Sequence, residues 1–231
     1  MRLALYSDVH IDAVTGGVPR APEIERSMWA VGRAAIEHEV DAAVFLGDLC
    51  DPEGPGGFEA VGIQRRFIDW TREHGIAWHG IPGNHCVMEW GREPRSVLSA
   101  LGCDGVHDRP EIGRLCDVPT LFLPYTPSWA PYDPEEEARK FIAQHPTGKA
   151  LVFGHLNLEG IHPGSEADAF ARGRDVMWPL DVLGPHMDRI ACFGGHIHKA
   201  QRYRGVTIVG SLARLDFGEG DLSPRFLVVD V

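Results

Sequence analysis

Short apolar runs alternate with longer amphipathic segments along this chain, and five of the apolar runs predict β-strands. Each of these five strands ends directly in a polar motif. The strands and their motifs are 3–7 before DVH, 42–46 before GDLCD, 76–81 before PGNH, 150–153 before GHLN and 190–193 before GGHIH. Because ligands of open α/β sheets gather at the carboxyl ends of the strands, the pattern predicts that the five motifs share one site.

Helices and further strands complete the predicted α/β pattern. Apolar positions at helical spacing predict helices over about 22–39, 58–74, 94–101 and 134–145. Asp133 is placed as the N-terminal cap of the last of these, and Pro134 fits its first turn. The tail reads as a meander of strands at 200–204, 206–210 and 226–231. No repeat or linker interrupts the pattern, so we expect a single domain over residues 1–231.

Composition narrows the class of protein. A chain of 231 residues, 44% of them hydrophobic and 24% charged, is long enough for one large α/β domain. No apolar run reaches the 18 residues of a membrane span, and the apolar run at the N-terminus, residues 3–6, is too short for a secretory signal. We therefore expect a cytoplasmic protein without a membrane partner. Five irregularly spaced cysteines with no CxxC pair indicate reduced thiols.

The formal net charge of −11 bears on the partners of the protein. A protein with this charge does not attract nucleic acid through its overall field. Metal ligands account for part of the acid, and bound divalent cations would offset part of the charge. A partner protein could also supply a basic surface.

The five motifs are rich in metal-ligating side chains. Asp8 and His10 are two residues apart on an extended chain, so they point the same way, and the same spacing recurs at His196 and His198. The candidate ligands are Asp8, His10, Asp48, Asn84, His155, His196 and His198, with Asp51 and His85 beside them in two of the motifs. This mixture of nitrogen and oxygen ligands suits Mn²⁺, Fe²⁺ or Zn²⁺ better than Mg²⁺ or Ca²⁺. Each motif alone is common, but all five in this order indicate a metal site.

The series DxH, GDxxD, GNH, GH, GHxH, from about Leu3 to His198, resembles the calcineurin-like metallophosphoesterases. The resemblance implies a four-layer αββα sandwich of two mixed β-sheets flanked by helices, with two metal ions at its rim. It implies one ion held by Asp8, His10 and His198, a second held by Asn84, His155 and His196, and Asp48 bridging the two. It also implies that His85, supported by Asp51, acts on the substrate phosphate as a general acid or transition-state stabiliser. A helix cap or turn is the alternative role for Asp51.

The segment after the last motif, VGSLARLDFGEG, is similar to one in the Mre11/SbcD branch of DNA-repair nucleases. This resemblance implies a Mn²⁺-dependent exonuclease and endonuclease that acts on DNA, works with an ATPase of the Rad50/SbcC type and forms a homodimer. Arg202, Arg204 and Arg214 are then candidates for contacting a phosphate backbone. Two features depart from the branch: Cys86 stands where an acid usually follows GNH, and no capping sequence follows FGEG.

Two alternatives to a nuclease stay open. A phosphodiesterase or phosphatase for nucleotides or other small phosphate esters fits the acidic charge and the missing cap. A non-catalytic scaffold on the same fold is disfavoured, because scaffold relatives usually lose ligands and all seven ligand positions are filled here. Among the remaining histidines, His162 could line the rim of the site, although a surface loop is the simpler interpretation.

Overall fold

The structure is a computed structural model, and it describes residues 1–51, 57–89, 95–127, 130–161, 176–215 and 217–231. His162 lies outside the described residues. The strands are β1 Arg2–Tyr6, β2 Val14–Thr15, β3 Val18–Pro19, β4 Ala42–Phe45, β5 Ala77–Gly80, β6 Val87–Glu89, β7 Arg95–Ser96, β8 Glu111–Leu115, β9 Val118–Leu123, β10 Ala150–Gly154, β11 Ile190–Gly194, β12 Gln201–Tyr203, β13 Val206–Ile208 and β14 Leu227–Asp230. The α-helices are α1 Ala21–Glu37, α2 Phe58–Glu73, α3 Pro134–Gln144 and α4 Leu180–Leu183. Short 3₁₀ helices cover Val97–Leu101, Gly184–His186 and Phe217–Glu219.

Two mixed β-sheets form the centre of the fold. Sheet 1 has the strand order β14-β1-β4-β5, and sheet 2 has the order β12-β13-β11-β10-β9-β8. In sheet 1, β1, β4 and β5 run parallel and β14 is antiparallel to β1. In sheet 2, β9, β10, β11 and β13 run parallel, while β8 and β12 are antiparallel at the two edges. The parallel strands of each sheet therefore end at a common edge.

Alternating side chains of the strands divide the interior into three cores. In β1, Leu3 and Leu5 join the core between the sheets, whereas Ala4 and Tyr6 face the core beneath α1 and α2. This alternation is the two-residue period of a strand that is buried on both faces. A third core lies between sheet 2 and the helices α3 and α4. Three cores separate four layers, so the predicted αββα sandwich is confirmed.

The helices form where the sequence pattern predicts them. In α1, buried positions recur at Ile24, Met28, Val31 and Ala35, which is the spacing of one helical face. At the start of α3, the Asp133 side chain accepts a hydrogen bond from the backbone N–H of Glu135 at 2.9 Å, as expected of an N-terminal cap. No helix in the described part of the chain combines the length and the apolar character needed to cross a bilayer.

Three expectations from the sequence are corrected. The tail is not one meander, because β12 and β13 pair in sheet 2 whereas β14 crosses to pair with β1 in sheet 1. Within the helix predicted over 94–101, Arg95–Ser96 form a two-residue strand, β7, and Val97–Leu101 form a 3₁₀ helix, because Ser96 caps the turn with its side chain; residue 94 lies outside the described residues. Strand β8 was missed, because its alternation of apolar and polar residues is weak and its partner β9 supplies the pairing.

Candidate metal centre

The carboxyl ends of five parallel strands bring the predicted ligands together. Two clusters form, one of Asp8, His10 and His198 and the other of Asp48, His155 and His196. Within each cluster the candidate ligand atoms lie within 4.8 Å of one another. Asn84 adjoins the second cluster, because its Oδ1 lies 3.2 Å from His155 Nε2. All seven ligand positions predicted from the sequence thus meet at one rim.

Asp48 stands between the two clusters. Its Oδ2 lies 3.7 Å from His10 Nε2 in the first cluster and 3.2 Å from His155 Nε2 in the second. Its Oδ1 accepts the backbone N–H of His85 at 3.0 Å, so this oxygen is fixed by the loop after β5. One carboxylate oxygen therefore faces both groups of ligands, which is the position of a bridging ligand.

Backbone carbonyls orient His10 and His155. Nδ1 of His10 lies 3.0 Å from the carbonyl oxygen of Cys50, and Nδ1 of His155 lies 2.6 Å from that of Leu46. A carbonyl oxygen only accepts, so each Nδ1 carries the proton and donates it. Nε2, the nitrogen of each ring that faces Asp48, is then the one that can bind a metal ion, in place of a proton.

Two residues outside the predicted set orient the histidines of the GHIH motif. Asn157 Oδ1 lies 2.8 Å from His196 Nε2, and Glu219 Oε1 lies 2.5 Å from His198 Nδ1. Both Asn157 and Glu219 are buried. The motifs GHLN and FGEG, which contain these two residues, were recognised in the sequence, but no role was predicted for either side chain. The available signals were a polar residue two positions after His155 and an acid between two glycines in the tail.

Tight backbone packing brings the motif loops close to each other. Asp8, His10, Asp48 and His196 have positive φ angles of 50°, 40°, 58° and 76°. Gly83, in the loop after β5, lies against Asp48: a Cβ added there would overlap the Asp48 carboxylate and lie 2.6 Å from its backbone nitrogen. The loops after β4 and β5 can approach this closely only because residue 83 has no side chain.

Burial and mutual charge shift the pKa values of the clustered groups. Burial lowers the pKa values of His10 and His196 to about 3, so both rings are neutral at ordinary pH. Burial also raises the pKa of Asp8 to about 6. Burial alone would lower the pKa of His155, but the Asp48 carboxylate beside it prevails and raises that pKa to about 9. The space between Asp48 and His155 thus attracts positive charge, whether a proton or a metal ion.

The donor atoms of the rim fit divalent metal ions. Asp8 Oδ1 accepts the backbone N–H of His196 at 3.0 Å, whereas its Oδ2 is buried and has no hydrogen-bond partner within the described residues. A buried carboxylate oxygen without a partner is costly unless a cation meets it. Nε2 of His198 and Nε2 of His10 lie 3.3 Å apart, so a single cation can take both as ligands when neither nitrogen carries a proton. Asp8, His10, His198 and Asp48 would hold one ion, and Asn84, His155, His196 and Asp48 the second.

His85 lies beside the first cluster. Its ring centroid is 4.9 Å from that of His10. Nδ1 of His85 is buried and has no hydrogen-bond partner among the residues that the structure describes. The predicted support from Asp51 therefore does not act at this nitrogen, and the roles of His85 and Asp51 stay predictions. The backbone N–H of Asp51 donates to Asp12 Oδ1 at 2.6 Å, which ties the loops after β1 and β4 together.

Cys86, which replaces the acid usual after GNH, packs away from the metal clusters. The backbone N–H of Leu49 lies 3.1 Å from Cys86 Sγ, within the distance of a hydrogen bond to sulfur. Burial raises the pKa of the Cys86 thiol to about 12, so the sulfur stays protonated and neutral. The thiol thus steadies the loop that carries Asp48 without adding charge beside the site.

The arginines predicted to contact a phosphate backbone are not gathered at the clusters. Arg204 lies in the turn between β12 and β13, and β13 runs parallel to β11, so this turn is at the opposite end of sheet 2 from the GHIH motif. Arg202 lines a cleft with Lys149, near the start of β10. The Nε–H of Arg214 donates to the carbonyl of Leu222 at 2.9 Å.

Comparison with solved structures finds a phosphatase with the same fold, and two further phosphoesterases are matched with lower scores. A dimetal phosphatase from Danio rerio is 13% identical, has a TM-score of 0.56, and is matched over 91% of this chain and 87% of that chain. The calcineurin-like phosphoesterase YfkN from Bacillus subtilis is 14% identical, with a TM-score of 0.49 over 91% of this chain and 81% of that chain. The phosphoesterase Yfce from E. coli is 14% identical, with a TM-score of 0.47 over 100% of this chain and 88% of that chain.

Comparison with known families is more specific than these fold matches. No curated protein matches the sequence. The sequence profile of the calcineurin-like phosphoesterases matches residues 1–200, which include all seven ligand positions. The chain therefore belongs to the calcineurin-like phosphoesterase family.

Proposed function

We propose that this protein hydrolyses phosphate esters at a centre of two divalent metal ions. The observation that carries the proposal is the position of Asp48 Oδ2, which faces His10 Nε2 at 3.7 Å and His155 Nε2 at 3.2 Å. A carboxylate shared by two ligand clusters is the arrangement of a two-metal phosphoesterase. When bound, two such ions supply positive charge to the phosphoryl oxygens and lower the pKa of a coordinated water. Mn²⁺, Fe²⁺ and Zn²⁺ match the nitrogen and oxygen ligands.

The protein side chains supply orientation and a proton. Carbonyl oxygens of Cys50 and Leu46 hold the rings of His10 and His155 with Nε2 toward Asp48. We assign to His85 the proton that the leaving oxygen needs, because its ring lies beside the first cluster and its backbone is anchored on Asp48.

A small phosphate ester, such as a nucleotide, is the substrate class that we propose. The net charge of −11 disfavours a long polyanion, and Arg202 and Arg204 lie away from the ligand clusters. Part of the segment that suggested a nuclease also has a role without DNA, because Glu219 in it contacts His198.

A DNA nuclease is the second candidate function. The resemblance of VGSLARLDFGEG to the Mre11/SbcD segment favours it, and so does the exposed position of Arg214 within that segment. DNA as substrate, Mn²⁺ as the native metal, an ATPase partner of the Rad50/SbcC type and a homodimer belong to this second proposal. A basic partner would offset the unfavourable net charge of the chain.

The experiment compares three substrates on one sample. Protein stripped of metal and reloaded with Mn²⁺ is given an aryl phosphomonoester, an aryl phosphodiester and end-labelled DNA, both single- and double-stranded. Asp48→Asn and His85→Asn proteins are assayed beside the wild type, with Glu136→Gln as the control, because Glu136 is an exposed acid on α3. We expect Mn²⁺-dependent hydrolysis of an aryl ester. We also expect Asp48→Asn to abolish it, His85→Asn to reduce it by about 10²–10⁴-fold, and Glu136→Gln to leave it unchanged.

Each outcome decides between the candidates. Hydrolysis of an aryl ester with intact DNA supports a small-ester enzyme. Degradation of DNA that Asp48→Asn abolishes would instead establish the nuclease and make an ATPase partner the next question. A wild-type protein that binds Mn²⁺ but hydrolyses none of the three substrates would sink the proposal of a phosphoesterase.

A further inference from the structure

Glu219 is a buried acid in the FGEG segment that no step of the proposed reaction uses. It ends the 3₁₀ helix Phe217–Glu219, and only 1% of its surface is exposed. Its Oε1 lies 2.5 Å from Nδ1 of His198, and its Oε2 accepts the backbone N–H of Leu215 at 2.6 Å. Both oxygens of this carboxylate are therefore engaged, one with a proposed metal ligand and one with the backbone of its own segment.

We propose that Glu219 is a positioning residue that holds His198 in the tautomer and orientation needed to bind the first metal ion. The inference rests on the proposed two-metal site and deepens it. A carboxylate accepts and cannot donate, so Nδ1 of His198 carries a proton, and Nε2 is the nitrogen left to bind a metal ion. This Nε2 lies 3.3 Å from His10 Nε2, within the first ligand cluster. A negative partner on Nδ1 also makes the imidazole a stronger ligand for a cation.

Only a carboxylate satisfies both groups that Glu219 contacts. The His198 ring in its ligating tautomer and the backbone of Leu215 each present an N–H. A glutamine at position 219 has one oxygen and one NH₂ group, so it can accept from one of these N–H groups while its own NH₂ group opposes the other. The opposed contact is relieved when the amide accepts from Leu215 and His198 moves its proton to Nε2. That tautomer no longer offers a lone pair to the metal ion.

The contact also joins the two halves of the first ligand cluster. Leu215, which donates to Glu219, uses its carbonyl oxygen to accept a hydrogen bond from the Thr15 hydroxyl in β2. Strand β2 follows the motif that carries His10, whereas His198 follows β11 of the other sheet. A chain of hydrogen bonds therefore runs from the loop after β1, through Leu215 and Glu219, to His198. This geometry fixes the ring of His198 relative to the ligands of sheet 1.

Glu219 contacts a histidine of the first ligand cluster, whereas the histidine of the GHIH motif in the second cluster contacts a different residue. That histidine, His196, is oriented by Asn157 Oδ1, a neutral acceptor, at 2.8 Å. Loss of the Glu219 charge should therefore weaken the first ion selectively. A residue needed only for folding would not distinguish between the two ions.

The test measures Mn²⁺ binding to the full chain by equilibrium dialysis, which reports the number of bound ions and their dissociation constants. Glu219→Gln is compared with the wild type and with Glu111→Gln. The latter is a matched control, because Glu111 Oε2 pairs with His107 Nδ1 at 2.9 Å, away from the ligand clusters. Thermal unfolding of the three metal-free proteins is measured in parallel. The readouts are metal affinity and stability, so neither depends on which substrate the enzyme uses.

We expect the wild type and Glu111→Gln to bind two ions, and Glu219→Gln to bind one of them about 10–100-fold more weakly. Metal-free Glu219→Gln should unfold within a few degrees of the wild type, because the alternative tautomer of His198 satisfies the amide. Two ions bound to Glu219→Gln with wild-type constants would overturn the inference. Equal weakening of both ions together with a lower unfolding temperature of the metal-free protein would also overturn it, in favour of a purely structural role. A wild type that binds no metal would sink the proposed two-metal site as well.

Discussion

Four proposed ligand residues have left-handed backbone conformations, although none of them is glycine. Asp8, His10, Asp48 and His196 have φ angles between 40° and 76°. Each such residue costs of order 1 kcal/mol or more, and the cost persists only where the surrounding structure imposes it. The backbone turns that result aim four side chains at one rim. The backbone strain is therefore located at residues that are proposed metal ligands.

Gly83 provides a prediction at the scale of one residue. We expect Gly83→Ala to lose metal binding and hydrolysis, because the added Cβ would overlap the Asp48 carboxylate and lie 2.6 Å from Cε1 of His155. Metal content of the purified variant and its rate with an aryl phosphate ester check this. Gly184→Ala is the matched control, because a Cβ at residue 184 meets no atom within 4 Å and its φ angle is −52°. A fully loaded, fully active Gly83→Ala protein would contradict the observed packing.

At the scale of secondary-structure elements, a pair of histidines connects the edges of the two sheets. His79 in β5 of sheet 1 has its Nδ1 3.1 Å from Nε2 of His107, and His107 is held by Glu111 in β8 of sheet 2. The ring of His107 stacks on Phe122 of β9, with ring centroids 3.6 Å apart. Burial lowers the pKa of His79 to about 4 and also lowers the pKa of His107, although Glu111 and Asp108 oppose the latter shift. The junction between the sheets is therefore built for neutral histidines.

This junction predicts how stability depends on pH. Because the pKa of His79 is lower in the folded than in the unfolded state, its contribution is complete above about pH 6.5 and declines as the pH falls toward 4. The free energy of unfolding of the wild type should fall between pH 7 and pH 4. In His79→Gln we expect this fall to be smaller, by on the order of 2 kcal/mol. Urea unfolding of the metal-free proteins measures this.

The control for the histidine junction is His38→Gln, since His38 is exposed on the surface. The loss of a histidine as such is common to both variants. The metal-site histidines are also present in both, so their titration cancels in the comparison. If the free energy of unfolding depends on pH in the same way in the wild type and in His79→Gln, the histidine pair does not contribute to the pH dependence of stability.

At the scale of the whole molecule, each proposed metal ion takes ligands from both sheets, so the site connects the two sheets. Asp8 and His10 follow β1 of sheet 1, and His198 follows β11 of sheet 2. The second cluster is divided in the same way, with Asp48 after β4 and His155 after β10. A cation at either cluster therefore holds the two halves of the sandwich together at their rim.

Metal binding should stabilise the whole fold. An ion at about 100 times its dissociation constant adds about 2.7 kcal/mol to the free energy of unfolding, which corresponds to a rise in Tm of about 5–10 °C for a chain of this size. We expect calorimetry to show this rise between chelator-treated and Mn²⁺-loaded protein. Asp48→Asn should lose most of the rise, because Asp48 serves both clusters. An equal Tm with and without metal would show that the rim does not bind ions in the folded state.

The sequence by itself determined the family, the fold class and the identity of the seven candidate ligands. These depend on local patterns: an apolar run ends, and a short polar motif follows at the carboxyl end of a strand. Hydrophobic periodicity likewise located the main helices and the five parallel strands that end in the motifs, since the spacing of apolar residues reflects burial on one or both faces. The order of the motifs then made the shared site predictable.

Only the tertiary structure decided which residues stand behind the ligands. Glu219 is 21 positions from His198 along the chain, and Asn157, in the loop after β10, meets His196 in the loop after β11. Such contacts depend on how loops from different strands pack, and no local spacing encodes them. The same holds for β14, whose apolar residues suit any sheet edge and which pairs with β1, at the other end of the chain. The likeness of VGSLARLDFGEG to a nuclease segment predicted an activity. In the folded chain, Glu219 of this segment contacts His198, a proposed metal ligand, and this contact is visible only when the segment is packed against the GHIH motif.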